Sequence, residues 1–378
     1  MRSTNYDLSY LSIDSIQEGV GASQIVPLII GLSQQGKKIS LITFEKISPR
    51  MELVDLLLSN GIHWDPQEFG QVGALGGFKR LRKLRKVIPQ SNVIHGRSDI
   101  PTAAAVFSNS DAPILWDVRS LWSDQRKLIA TAGWNPLTAR AARKLENVSA
   151  RSSTAMTTLT AAVVPILEKR HKKLPKIRAV IPTCVQTKKF IMTSLPTGQI
   201  TCLLSGTFNN YYDLDETRRV IQELRKSMDL QVIWARGGEA PNQKLDVGED
   251  YAISAAHSEM PALVCAAHFG IAICKQENLD TLAAAVPTKI AEFLASGRPV
   301  IVSKNIGDLD TLISNYHAGV VIQNGQDLSS VAPQLVNLLS DSTTPDRCRS
   351  LAMEHFDMDK AVTIYSEIYG EMLKGNTI

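Results

Sequence analysis

One segment late in the chain places a basic and an acidic side chain one helical turn apart. Pro287 and Thr288 are typical of a helix start, Lys289 lies in the first turn, and Glu292 follows on the same face. The first turn has free N–H groups and a partial positive charge, so Thr288 and Lys289 are placed to bind a diphosphate. Glu292 is then within reach of a ribose. The alternative is a capped helix with a solvated lysine and glutamate.

Two glycines near the start of the chain form a second candidate site. Gly19 and Gly21 lie between a predicted strand and a predicted helix. Glycine allows the backbone to approach a ligand closely, with N–H groups pointing at it. Gln24 stands where a dinucleotide-binding loop has its third glycine. The alternative is therefore an ordinary turn in which Ser23 caps the helix.

A third group of residues follows a short apolar run. Asp117 and Arg119 stand at the end of this predicted strand, where they can contact a ligand or form an internal ion pair. Trp116, Trp122 and Trp134 can stack on sugar faces, although tryptophan in such proteins is more often part of the core.

Composition excludes several classes of protein. The 378 residues are 44% hydrophobic and 21% charged, with a net charge of +4, which is typical of ordinary globular domains and argues against a nucleic-acid partner. None of the five cysteines forms a C-x-x-C pair, so we expect scattered thiols and no bound metal. The N-terminus has no apolar leader, and no run approaches the length of a spanning helix. We expect a cytoplasmic protein.

Short apolar runs alternate with helical patterns from end to end, which predicts an α/β fold with parallel sheets. The predicted strands of the first series are 8–13, 39–44, 92–95, 114–118, 155–159 and 177–181. Those of the second series are 201–204, 231–235, 251–254, 270–274, 299–302 and 319–322. The two series predict two doubly wound, Rossmann-like domains at 1–185 and 186–357, with 186–199 as the linker region. A last helix in 358–378 has no strand after it and can dock back on the first domain.

The segment from Pro287 to Val302 resembles the donor-site helix of family 4-type glycosyltransferases, which have the GT-B fold. Their pattern runs P-x-K-x-x-E-x-L-A-x-G-x-P-V-I. The matching residues are Pro287, Lys289, Glu292, Leu294, Ala295, Gly297, Pro299, Val300 and Ile301. Weaker resemblances, in the same order along the chain, are 116–125 to D-x-R-G-x-W-x-D-E, 181–185 to I-P-T-C-V, 205–207 to a glycine turn and 307–308 to the loop after the donor helix.

The resemblance implies two Rossmann-like domains facing across a cleft, and sugar transfer from a nucleoside-diphosphate-sugar with retention of configuration and without a metal or other cofactor. The implied acceptor of the sugar is a saccharide or a lipid-linked molecule. By the same resemblance, Asp117, Arg97 and Glu292 are the expected catalytic residues, and Arg119 and Trp122 contact the acceptor. The expected donor-binding residues are Gly19, Gly21, Gly206, Arg236, Lys275, Thr288, Lys289 and Glu292.

Three departures from the family pattern leave alternatives open. Ala284 stands where the family has the first acid of E-x7-E. The basic pair that follows the glycine turn is missing after Gly206, which leaves Lys289, Lys275 and Arg236 as candidates. Arg97 replaces the second histidine of an I-H-x-H stretch. A sugar-nucleotide epimerase of the same fold and a non-catalytic glycosyltransferase-like subunit are the two alternatives.

Residues 77–88 carry six basic side chains and no acid. Phe78, Leu81, Leu84 and Ile88 share one face of the predicted helix, and such a helix can lie on anionic lipid. A second basic run occupies 169–173. The sequence thus predicts contact with the inner face of a membrane. The alternative is a packed helix with one solvated face.

Overall fold

The computed structural model describes residues 5–128, 136–237 and 244–375, which fold into two units. One unit comprises Met1–Ile181 together with Met358–Ile378, and the other comprises Pro182–Asp357. The break after Ile181 falls within a few residues of the boundary predicted after residue 185. Each unit is described by itself below.

The first unit is a parallel sheet of seven strands in the order β3-β2-β1-β4-β5-β6-β7. Its strands are β1 (Tyr6–Leu11), β2 (Ile39–Glu45), β3 (Ile62–Glu68), β4 (Ser91–Arg97), β5 (Ile114–Val118), β6 (Ala155–Thr158) and β7 (Ile177–Val180). Its helices are α1 (Val26–Gln34), α2 (Met51–Ser59), α3 (Gly73–Val87), α4 (Asp99–Val106), α5 (Trp122–Leu128), α6 (Pro136–Ser152), α7 (Val164–Arg170) and the C-terminal α15 (Met358–Lys374).

The central strands of this sheet are buried on both faces, as parallel strands usually are. All seven residues of β2 are buried, and Leu11, Phe44 and Ile94 share one core with Leu84 of α3. Helix α15 packs against α1 and β4. A Cβ at Gly31 of α1 would stand 2.6 Å from a methyl of Val362, so the glycine makes room for the last helix. That helix is therefore part of the first unit's core.

The second unit is a parallel sheet of six strands in the order β10-β9-β8-β11-β12-β13. Its strands are β8 (Ile200–Ser205), β9 (Leu230–Arg236), β10 (Tyr251–Ser254), β11 (Phe269–Ala272), β12 (Val300–Ser303) and β13 (Gly319–Ile322). Its helices are α8 (Leu214–Arg225), α9 (Met260–Ala266), α10 (Leu279–Ala283), α11 (Thr288–Ala295), α12 (Leu309–Tyr316), α13 (Val331–Ser340) and α14 (Thr344–His355). The prediction of two doubly wound α/β domains is confirmed.

Two local features differ from the sequence prediction. Strand β3 was not predicted, because Asp65 and Pro66 interrupt its apolar pattern; it pairs only with β2 at the edge of the sheet, where proline is tolerated. The segment predicted as a linker is anchored to the second unit. The buried Arg298 guanidinium donates to the carbonyls of Thr193 (2.9 Å) and Ser194 (3.1 Å).

Gly270 of β11 lies against the ring of Phe293 from α11. A Cβ at Gly270 would stand 2.2 Å from a ring carbon. Gly270→Ala should therefore overpack this core and lower the free energy of unfolding by about 1–3 kcal/mol. Denaturant titration followed by circular dichroism measures the change.

Gly370 of α15 is the matched control, because a Cβ there meets no atom within 4 Å. Gly370→Ala should raise the free energy of unfolding by about 0.5–1 kcal/mol through helix propensity. Equal stability of Gly270→Ala and the wild-type protein would show that α11 does not press on the sheet as described.

Candidate functional site

Neighbouring strands of the first unit end at one edge of the sheet, and predicted residues meet there. Leu11 of β1 pairs with Gly96 of β4, and Arg97 pairs with Asp117 of β5. Because the strands are parallel, their carboxyl ends lie side by side, which is where open α/β sheets bind ligands. The structure thus brings Arg97 and Asp117 together.

Asp117 is fully buried and surrounded by cations. Its carboxylate lies 3.8 Å from Arg97 Nη1 and 3.5 Å from Arg119 Nη1, and it accepts a 3.0 Å hydrogen bond from Thr157 Oγ1. Burial alone would raise the pKa of Asp117, but Arg119, His95 and Arg97 together hold it well below its usual range. The group is an ionised carboxylate in a dry site. Its ion pairs match the alternative foreseen from the sequence, and its catalytic role stays a prediction.

His95 is a member of this cluster that the sequence did not single out. Its Nε2 lies 3.4 Å from Asp117, and its Nδ1 lies 2.7 Å from the hydroxyl of Tyr369 in α15. Burial lowers the pKa of His95, so the ring is neutral near pH 7. Tyr10 and Tyr365 flank the ring, with centroids 4.3 and 5.2 Å away. No local sequence signal points to these tyrosine partners.

The other predicted residues around β5 differ in exposure. Arg119 is largely buried beside Asp117, and Trp122 is half-buried at the start of α5. Trp116 is fully buried and donates a 3.0 Å hydrogen bond to Asp99, so it belongs to the core and cannot stack on a sugar. Trp134 lies outside the described residues.

The glycine loop after β1 leads into a π-helical turn, Gly21–Ile25, before α1. Gly19 has a φ of +57°, a conformation that favours glycine. A Cβ at Gly21 would stand 1.8 Å from the carbonyl oxygen of Ser15, so only glycine fits. The buried carboxylate of Glu45 accepts hydrogen bonds from Ser15 Oγ (2.5 Å) and Gln17 Nε2 (3.2 Å) and fixes the loop. Both glycines thus have structural reasons to be present, and ligand binding by them stays a prediction.

In the second unit, Gly206 and Arg236 directly follow the paired residues Ser205 and Ala235. They therefore lie side by side at the carboxyl edge of this sheet. Gly206 has a φ of +80°. Arg236 is half-buried, with its guanidinium 5.7 Å from the ring centre of Trp234. Lys275, which follows β11, is exposed.

Helix α11 places the predicted donor-binding residues in its first turns. Pro287 occupies the N-cap position and no side chain caps the N-terminus. Thr288 is half-buried, whereas Lys289 and Glu292 are buried. Burial lowers the pKa of Lys289 to about 8 and raises the pKa of Glu292 to about 7, and each charge partly offsets the shift of the other. Two titratable groups next to a free helix N-terminus are typical of a functional site.

The surroundings of Lys289 could not be foreseen from the sequence. Its Nζ has no hydrogen-bond partner among the described residues. It lies 4.0 Å from the ring centre of Phe208 and 4.2 Å from that of Tyr212. Both rings come from the segment after Gly206, where the family pattern has a basic pair. Ala284, at the place of the family's first acid, is buried at the end of α10.

The apolar face predicted for helix α3 is confirmed at Leu81, Leu84 and Ile88, which pack in the core of the first unit, and is wrong at Phe78. Phe78 is 63% exposed, whereas Arg80 is buried and donates to the carbonyls of Phe69 and Gln71, both at 2.9 Å. The reason is that Gly76 and Gly77 allow close packing and turn their side of the helix inward. The exposed basic residues of α3 are Lys79, Arg82, Lys83, Arg85 and Lys86. At the N-terminal end of the same helix, the exposed apolar residues are Val72, Leu75 and Phe78.

The second basic run is only partly on the surface. His171 is buried, and Arg170 contacts Asp124 at 2.7 Å, which leaves Lys169, Lys172 and Lys173 exposed. Across residues 5–128, 136–237 and 244–375, none of the helices has the length and apolar character needed to cross a bilayer.

The sequence matches no protein-family model and no curated protein. The fold is similar to that of HepE from Anabaena in complex with UDP, with a TM-score of 0.70 and 12% identity over 97% of this chain and 100% of HepE. HepE in complex with UDP-glucose gives a TM-score of 0.67 and 13% identity over 98% of this chain and 100% of HepE.

Two further solved structures bear on the comparison. WaaG, a glycosyltransferase involved in lipopolysaccharide biosynthesis, has a TM-score of 0.66 and 14% identity over 94% of this chain and 98% of its own. A structure solved under the name of a UDP-N-acetylglucosamine 2-epimerase from Listeria monocytogenes has a TM-score of 0.60 and 11% identity over 97% and 95%. At these identities the likeness concerns the fold. The two doubly wound sheets and the likeness to these solved structures show that the chain has the GT-B glycosyltransferase fold.

Proposed function

We propose that this protein is a glycosyltransferase that moves a sugar from a nucleoside-diphosphate-sugar to an acceptor. The observation that carries the proposal is the start of α11. There an uncapped helix N-terminus, an ammonium that no described residue hydrogen-bonds and a buried carboxylate lie within one turn of each other. This is the chemistry that a diphosphate next to a ribose or a sugar requires. HepE, with a similar fold, binds UDP and UDP-glucose.

In this proposal the residues of α11 stabilise the leaving group. The bond from the anomeric carbon of the sugar to the diphosphate oxygen breaks as the acceptor oxygen bonds to that carbon. Negative charge develops on the diphosphate oxygen, which takes up the proton of the acceptor hydroxyl. Lys289 and the N–H groups of the first turn then neutralise this charge without a metal ion. Thr288 donates a hydrogen bond to the same group, and Glu292 accepts hydrogen bonds from hydroxyls of the ribose or sugar. Arg236, Lys275 and the Gly206 turn complete the donor site.

The cluster of the first unit is proposed to act on the acceptor. Asp117 is held ionised by its arginine neighbours, and Arg97 and Arg119 are the cations closest to it. Arg119 is 12% exposed and Trp122 is half-buried, so a part of each side chain is open to a saccharide or a lipid-linked acceptor. Retention of configuration belongs to the same proposal and follows from the resemblance to family 4-type enzymes.

An epimerase is the second candidate, since a structure with an epimerase name shares the fold. It would change the sugar nucleotide without any acceptor. Incubation with UDP-N-acetylglucosamine alone, followed by NMR of the sugar, separates the two reactions. A new hexosamine epimer would favour the epimerase, and a sugar that is released or transferred would favour the transferase.

A thermal-shift screen against UDP, GDP, ADP and CMP tests the proposed donor. A ligand at 100 times its dissociation constant stabilises the folded state by about 2.7 kcal/mol, so the melting temperature should rise for the cognate diphosphate. We expect UDP to give the largest shift. Shifts within error for all four nucleotides would contradict a nucleotide-dependent function.

The variant Glu292→Gln tests the role of the buried carboxylate. The amide keeps the shape but loses the charge-assisted hydrogen bonds to the donor, which are worth about 1.5–3 kcal/mol. The KM for the donor should rise roughly 10- to 150-fold, or turnover should vanish. The melting temperature should stay within a few degrees. Glu367→Gln, at an exposed position of α15, is the control and should change neither quantity. An unchanged affinity for the donor would remove Glu292 from the site.

The exposed face of α3 supports an additional partner, an anionic membrane surface. Five exposed basic side chains lie on one helix, and Phe78 and Leu75 project from its first turns into solvent. A basic helix with exposed apolar residues is typical of proteins that rest on anionic lipid. An enzyme with a lipid-linked acceptor would gain from this contact.

The protein should therefore cosediment with vesicles of anionic lipid at low salt and not with neutral vesicles. Each basic residue near the bilayer contributes about 1 kcal/mol, and 1 M salt should release the protein because the Debye length falls to about 3 Å. A variant with Lys79, Arg82 and Lys83 changed to Glu should lose binding and keep its fold. The same change at Lys169, Lys172 and Lys173 is the control and should weaken binding less. Absence of binding at low salt would favour a soluble acceptor.

A further inference from the structure

Two aromatic rings and one ammonium form a compact group in the second unit. Lys289 Nζ lies 4.0 Å from the ring centre of Phe208 and 4.2 Å from that of Tyr212. The two ring centres are 4.9 Å apart. A cation this close to a ring face is attracted by the negative charge of the π system. We call this group the Lys289 cage.

The rings of the cage are fixed by the backbone. Tyr212 forms an antiparallel bridge with Cys274, directly after β11. The next residue, Asp213, donates its N–H to the carbonyl of Ile273 at 3.0 Å, and Lys275 donates to Tyr211 at 3.1 Å. Asp213 also caps α8. The segment that carries Phe208 and Tyr212 is therefore anchored to the sheet, and it holds the two rings against α11.

We propose that Phe208 and Tyr212 are positioning residues for the donor site. Their ring faces hold the Lys289 ammonium at the start of α11 and leave its N–H groups free for the diphosphate. This rests on the proposed function. A ring face stabilises a cation without accepting a directed hydrogen bond, so the donor need not break a protein hydrogen bond to reach Lys289. The rings stand in the segment after Gly206 where the family pattern has a basic pair, and the cation that they hold is Lys289.

The cage also makes the charge of this lysine sensitive to pH. The groups that face it are Glu292 on α11 and Cys274 after β11, with Asp213 beside that cysteine. Burial lowers the pKa of Lys289 to about 8, against the opposite effects of Cys274 and Glu292. Burial raises the pKa of Cys274 to about 12, so the thiol stays neutral. Lys289 is thus charged below about pH 8 and loses its charge above it.

Affinity for a diphosphate should follow this charge. Isothermal titration calorimetry with UDP between pH 8 and 9 lies above the ionisation of the terminal phosphate and of Glu292, whose pKa is raised to about 7, and below that of the uracil ring. We expect UDP affinity to fall roughly fivefold between pH 8 and pH 9, since one proton is lost from the site. Lys289→Arg keeps its charge over this range and should show a flat profile. A flat profile for the wild-type protein would overturn the proposal.

Substitution of the rings tests their part directly. Phe208→Leu and Tyr212→Leu keep an apolar side chain beside the ammonium but remove the ring face that favours the charged form. The midpoint of the pH profile should move to lower pH, and UDP affinity at pH 8.5 should fall severalfold. Tyr211→Phe, which changes the neighbouring ring only by its hydroxyl, is the control and should leave the midpoint in place. An unchanged midpoint in both leucine variants would overturn the proposal.

A measurement that needs no nucleotide separates this proposal from the proposed function. The Cε–H signal of Lys289 in protein labelled with carbon-13 lysine is identified by its loss in Lys289→Met. It should titrate near pH 8 in the wild-type protein and at lower pH in Phe208→Leu. If UDP fails to bind at every pH, the donor function is overturned, and with it the cage's role toward a diphosphate. An equal titration midpoint of the lysine signal in the wild-type protein and in Phe208→Leu would overturn the cage itself.

Discussion

Burial of charge at the carboxyl edge of a parallel sheet is the constraint on which both candidate sites depend. Removing an ionised group from water costs several kcal/mol unless neighbouring groups replace the solvent. The first unit meets this cost at Asp117 with arginine side chains and a threonine hydroxyl. The second unit meets it at Lys289 with two aromatic faces. The sheets supply the rigid edge, and the residues just after their strands decide which charge is held there and how strongly.

The two solutions differ in what they leave available. Asp117 accepts one hydrogen bond, from Thr157, and its arginine neighbours hold it ionised. The ammonium of Lys289 has ring faces on one side and no hydrogen-bond acceptor among the described residues. It is therefore an incompletely satisfied group next to a helix N-terminus. Polar groups left in this state are unfavourable for stability and are most readily explained by a ligand that completes them.

The sequence predicted the repeating parts of the fold well, because the alternation of apolar strands and helices is a local signal. The turn of α11 was also visible, since its proline, lysine and glutamate lie within six residues of each other in the sequence. The site features that the sequence did not predict depend on packing between residues that are far apart in the chain. His95 meets Tyr369 across 274 positions, and the rings of the Lys289 cage come from another loop. The exposure of Phe78 on α3 was missed because Gly76 and Gly77, which carry no hydrophobic signal, are buried next to it.

The last helix has a consequence for the order in which the chain can fold. Because α15 covers α1 and supplies the hydroxyl partner of His95, the first unit lacks part of its core until Met358–Lys374 has been synthesised. The second unit is continuous from Pro182 to Asp357, so its residues leave the ribosome as an uninterrupted block. During translation the later-made unit can therefore reach its native state first, while the earlier-made one waits with an exposed helix surface around Gly31. Apolar surface that is exposed during folding in this way makes a chain prone to aggregation and is what chaperones cover.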